Sequence, residues 1–111
     1  GLEEIISLLL AKGPALNAGD NNGTTALMIA SFRGFAAILR RLLEAGASPN
    51  IRNQRGATAL TYAAAFHQRA IIPILLHYGA DPHLKDKSGF TPADQARMQG
   101  LSDLAGLLEA H

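Results

Sequence analysis

The chain has 111 residues, enough for one ordinary domain and too few for two. It is 48% hydrophobic but only 5% aromatic, so its core has to come from Ala, Leu and Ile, small side chains that let thin helical layers approach closely. A net charge of +1 gives no global drive toward nucleic acid or an anionic membrane, and the lack of cysteine excludes disulfide and thiolate chemistry and fits a reducing compartment.

In chain order, residues 2–12 place Ile5, Ile6, Leu8, Leu9 and Leu10 on a helix that Gly13 ends, and no signal-peptide pattern precedes it. Asp20, Asn21, Asn22 and Gly23 form a turn: Asp and Asn bond their own backbone, and Gly accepts positive φ. Thr25 caps a first helix running through Leu27 and Ala30, and Gly34 reverses the chain. Ile38, Leu39, Leu42 and Leu43 then form the apolar stripe of a second helix, which Gly46 closes. From Asn53 the order repeats, with Gly56, Thr58, Leu60 and Ala63, then Ile71, Ile72, Leu75, Leu76 and Gly79. From Asp86 it repeats once more, with Gly89, Thr91, Ala93, Ala96, Gly100 and Leu108. Pro92 falls at a first helical position, where its missing N–H costs nothing.

Two residues depart from the pattern. His67 stands in the column of Gly34 and Gly100, where positive φ is expected and a side chain costs roughly 1 kcal/mol or more. Pro73 lies within a second helix, early enough that little backbone bonding is lost. It also interrupts the longest apolar run, 71–76, which is far too short to cross a bilayer.

Gly23, Gly56 and Gly89 stand 33 residues apart, and the Asp20, Thr25, Ala30, Leu42 and Gly46 columns keep the same step. Such a period marks ankyrin repeats. Thr25-Ala-Leu-Met, Thr58-Ala-Leu-Thr and Thr91-Pro-Ala-Asp resemble that family's Thr-Pro-Leu-His, and Gly46-Ala-Ser-Pro-Asn50 and Gly79-Ala-Asp-Pro-His83 resemble its Gly-Ala-Asp-Val-Asn. The resemblance covers essentially the whole chain. It implies an all-α repeat solenoid of about three and a half repeats, each a β-turn and two antiparallel helices: a partial repeat over 1–19 with the second helix only, repeats over 20–52 and 53–85, and a C-terminal capping repeat over 86–111. Gly1 aligns with Gly34, so the array is expected to continue upstream, and the chain to be a monomer unless the unmated stripe of 2–12 pairs with a neighbour. Gly106 and Glu109 replace residues that a further repeat would want apolar or helix-favouring, so the array is expected to stop at this end.

Catalytic signatures are absent: the sequence has no His-Glu-x-x-His helix, nucleophile elbow, phosphate loop or dinucleotide fingerprint. Neither an enzyme nor a cofactor is nominated. His77, Asp81 and His83 come nearest to a ligand cluster, but they flank a helix cap and a turn, where solvated polar residues are expected. Arg40 and Arg41 read as a solvated helix face. Asn17 and Asn50 hold a loop column that hydroxylases modify in some ankyrin proteins, against the plainer reading of a loop-bracing amide.

In the ankyrin family the turn tips and the ends of the first helices face a concave groove where partner proteins bind. The resemblance therefore points to Asn21, Asn22, Phe32 and Arg33, to Gln54, Arg55 and Phe66, and to Lys87, Phe90 and Met98, with Arg52 and Lys85 beside the turns. Aromatic and Met anchors among cations match interface hot spots, and the projecting columns hold no carboxylate. Any single Phe has the alternative of filling a gap between adjacent first helices. The leading expectation is a non-catalytic module binding a protein segment with acidic and apolar residues. The alternative is a regulatory or targeting arm of a larger enzyme whose catalytic part lies outside this chain. Nucleic acid is disfavoured by the near-neutral charge.

Overall fold

A computed structural model describes residues 17–111. The readings for 1–16, namely the helix over 2–12, its exposed stripe and its end at Gly13, lie outside the described residues. Among those described are six α-helices and no strand: α1 Ala26–Arg33, α2 Ala36–Glu44, α3 Ala59–Ala65, α4 Ile71–His77, α5 Pro92–Met98 and α6 Ser102–Glu109. They build an all-α repeat solenoid. Helices α1, α3 and α5 stack in one row, and α2, α4 and α6 each pack behind the helix that precedes them.

Each helix of the inner row begins the same way. The Thr25, Thr58 and Thr91 hydroxyls accept from the N–H of the third helical residue at 3.3, 3.4 and 3.2 Å. The third residue answers by accepting from the threonine N–H, through the Met28 sulfur, the Thr61 hydroxyl or the Asp94 carboxylate. Such reciprocal caps satisfy two of the N–H groups that a helix start leaves open. The outer helices α2 and α4 end as expected. The N–H of Ala47 reaches back to the Leu42 carbonyl and that of Ala80 to Leu75, both at 2.9 Å, with Gly46 and Gly79 at positive φ between.

Small and branched residues fill the interior. Ala30, Ala63 and Ala96 are buried together with Leu39, Leu42, Leu60, Ile71, Ile72, Leu75 and Leu108 in one continuous core. Each such aliphatic side chain contributes roughly 1.5–3 kcal/mol by leaving water. Ile38 and Leu76, read as part of the apolar stripe, are only half-buried, and Ile74 is buried in addition.

Both departures from the repeat pattern have their structural counterpart. His67 has φ 60°, beside 74° at Gly34 and 78° at Gly100, and is the one non-glycine residue with positive φ among those described. Pro73 is the third residue of α4, where no intrahelical N–H bond is due.

Candidate functional site

Each turn is built around one side chain. Asp20 accepts from the backbone N–H of Asn22 and Thr24, Asn53 from Arg55 and Ala57, and Asp86 from Ser88 and Phe90, all at 2.8–3.0 Å. The column thus takes Asp or Asn because the turn needs one oxygen to gather two N–H groups. Successive turns are joined edge to edge: Gln54 N–H donates to the Asn22 carbonyl and Lys87 N–H to the Arg55 carbonyl, each at 2.9 Å. The tips therefore form one continuous wall.

Several residues expected to project from this wall help to build it. The Gln54 amide donates to the Asn21 carbonyl at 2.6 Å. Arg52 donates to the Gly56 carbonyl at 3.4 Å and to the Lys85 carbonyl of the next repeat. Its guanidinium is thereby tied to the turn bases, whereas Arg55 and Lys87 stand exposed at the tips and Lys85 at the edge of its turn.

The inner helices contribute aromatic rings. Phe32, near the end of α1, lies 6.1 Å from Tyr62 and 5.7 Å from Phe66, and Tyr62 and Phe66 are 6.3 Å apart, measured between ring centroids. These tilted pairs are within the range that favours aromatic contact. The Arg33 guanidinium sits 5.3 Å from the Phe32 centroid. Phe32 is half-buried between the two inner helices, as the gap-filling alternative describes, while Phe66 is 53% exposed and is the face that the cluster offers to solvent. Phe90 and Met98 are 40% and 54% exposed, but neither joins the ring cluster, so the three phenylalanines do not form one patch.

Tyr62 is the residue that column-by-column reading passes over. Its spacing of four from Phe66, the residue that caps the same helix, was the available signal. Its hydroxyl accepts from Asn53 Nδ2 at 2.7 Å, which joins the ring cluster to the turn wall.

Between wall and helices lie two neighbouring clefts. The larger, about 520 Å³, is flanked by Ala57, Tyr62, Ala65 and Phe66, with Arg55 and Lys87 at the rim. Asp86 also lines it, a carboxylate outside the projecting columns, but this side chain is already held by two N–H groups and by Gln95 Nε2 at 3.1 Å. The smaller cleft, about 280 Å³, is lined by Asn22, Thr24, Asn53, Gln54, Arg55 and Tyr62.

Elsewhere several polar side chains brace the fold. Asn17 accepts from Ser48 N–H at 2.8 Å; Asn50 accepts from Asp81 N–H at 2.8 Å and donates to the Gly79 carbonyl at 3.0 Å, so both amides brace loops across repeats. Asp81 accepts from His83 N–H at 2.9 Å, and His77 stacks edge-on with Tyr78. Among the described residues no group of three or more His, Asp or Glu is placed to hold a metal ion, and no helix is long and apolar enough to cross a membrane. The Asp94 carboxyl is held below its usual range by its backbone bond to Thr91, and Asp103 by the Arg69 guanidinium, with Arg69 raised in turn by Asp103. The first closes a helix cap and the second bridges two repeats.

A family model described as ankyrin repeats (3 copies) matches residues 1–86. No curated protein matches the chain.

Proposed function

Taking as premise that this chain belongs to the ankyrin repeat family, we propose that it is a non-catalytic module that holds a segment of another protein between its turn wall and its inner helices. Ankyrin repeats are generally protein–protein interaction modules. The observation that carries the finer reading is the exposed Phe66, backed by Phe32 and Tyr62 and facing the tip cations Arg55 and Lys87 across the larger cleft. An apolar anchor seated beside cations favours a segment in which acidic residues flank an apolar one. Charge steers the encounter and burial of the ring holds the complex. Asn21, Asn22, Arg33, Gln54, Phe90 and Met98 extend this surface along the array; Arg52 and Lys85 contribute positive potential from its edge.

The test is affinity capture with the whole chain beside a variant carrying Phe32→Ala, Arg55→Glu and Phe66→Ala, with helicity of both followed by circular dichroism. Proteins retained by the first and lost by an equally helical second support the groove. Equal retention by both places the binding surface elsewhere and refutes this reading.

A further inference from the structure

The two clefts share one partition, made of Gln54, Arg55 and Tyr62, yet differ in chemistry. Alanines and aromatic rings flank the larger one. The smaller one is lined by polar donors and by no carboxylate. Tyr62 Oη accepts from Asn53 and donates to no acceptor among the described residues, which leaves its proton available to a ligand in the smaller cleft that the residue lines. The Thr24 hydroxyl makes no hydrogen bond and Arg55 makes no ion pair among the described residues. A hydroxyl and a guanidinium on the same partition complement a carboxylate, whose bonds to such donors are the stronger, charge-assisted kind.

Spacing then constrains the ligand backbone. The two clefts lie on either side of the α3 partition, in successive seams, so their centres stand roughly one inner-helix spacing, 8–10 Å, apart. A polyproline II segment returns to the same face every three residues, about 9.3 Å along its axis. In a β-strand, side chains on one face are about 7 or 13 Å apart, too close or too far. We infer that the smaller cleft takes the side-chain carboxylate of an acidic residue, while the larger takes an apolar side chain three residues away on the same polyproline II segment of the partner. This inference rests on the groove reading above and specifies its register.

The probes are synthetic, terminally blocked decapeptides in a proline-rich host, each with one Glu and one Leu separated by two, three or four residues, in either order. They are titrated into the whole chain and followed by amide chemical shifts. The expected result is that one order with separation three binds at least tenfold tighter than the others, and that Glu→Ala in that peptide loses about tenfold. Tyr62→Phe in the protein should lose a similar factor against the Glu peptide and nothing against the Ala peptide. Equal affinity at all separations, or a Tyr62→Phe loss that ignores the Glu, overturns the register. In that case shifts confined to α3 and the tips still leave the groove reading standing. If no peptide shifts α3 or the tips, both fall. A probe that ends at the acidic position and binds only with a free terminal carboxylate reassigns the smaller cleft to a chain end, which overturns the side-chain assignment.

Discussion

The seam between α1 and α3 and the seam between α3 and α5 share a backbone plan but are filled differently. At the first, Phe32, Tyr62 and Phe66 close the space near the helix ends, and the Gln68 amide crosses to the Phe32 carbonyl at 2.9 Å. At the second, the column of Phe32 continues as Ala65 and Met98, no ring bridges the helices, and the larger cleft remains open there. These two repeats are tied instead through the loop after α3, where Arg69 pairs with Asp103 of α6 at 2.9 and 3.0 Å. Side-chain size at one column thus sets whether the helix-end part of a seam is filled or open, while on the turn side the first seam keeps the smaller cleft.

The largest test of this comparison is at the tips. A methyl added at Gly56 meets Lys87 N at 2.8 Å and the Asp86 backbone at 3.1 Å, at φ +74°, so Gly56→Ala has to push adjacent turns apart as well as occupy a left-handed backbone. It should cost about 2 kcal/mol or more, because steric displacement adds to the left-handed penalty. Gly89→Ala has the same backbone problem at φ +87° but meets nothing within 4 Å, and should cost only about 1 kcal/mol. Urea melts of the pair would measure the difference; equal losses would mean that wall contact adds nothing. Next in size, Phe32→Ala removes the ring that closes the first seam and should cost about 1–2 kcal/mol, since the side chain is only half-buried. Met98→Ala, at the more exposed position of the same column in the second seam, should stay within about 0.5 kcal/mol.

The contrast between seams also explains what could be read in advance. Turns, threonine caps and left-handed reversals were legible because each backbone demand admits few residue types and recurs at a fixed step. His67 was legible for the same reason, as the exception in a glycine column. The ring cluster was not, because it runs diagonally: Phe32 meets Tyr62 and Phe66, whereas its own column continues to Ala65. Column alignment pairs equivalent positions and cannot display a diagonal contact. Nor could it reveal that Arg52 and Gln54 turn toward neighbouring carbonyls, since side-chain direction depends on the adjoining repeat.

A smaller effect is expected where the helix reversal of the middle repeat strains its backbone. His67→Gly relieves a left-handed φ of 60° but gives the unfolded chain more freedom. The net should be a gain of about 0.5–1 kcal/mol, seen as a higher melting temperature. A lower one would show that the imidazole makes a contact worth more than the strain.

The smallest effect separates the seams by pH. Asp94 and Asp103, both on the second seam's outer repeat, are held below the usual carboxylate range by the Thr91 backbone bond and by Arg69 respectively. A carboxyl whose folded pKa is depressed binds protons more readily when unfolded, so its contribution is complete above the unfolded value, about 3.9, and is lost as pH falls through the lower folded value. The first seam is filled by the Phe32 and Phe66 rings and the Gln68 amide, which carry no ionisable group. Acidification from pH 6 to pH 2 should therefore lower hydrogen-exchange protection in α5 and α6 before α3, by a modest margin because both carboxyls are exposed and screened by solvent. Asp103→Asn should remove part of that difference by taking away the ion pair at every pH. Loss of protection at one common pH in all three helices, unchanged by Asp103→Asn, would show that the two seams unfold as a unit and that the Arg69 bridge stabilises neither selectively.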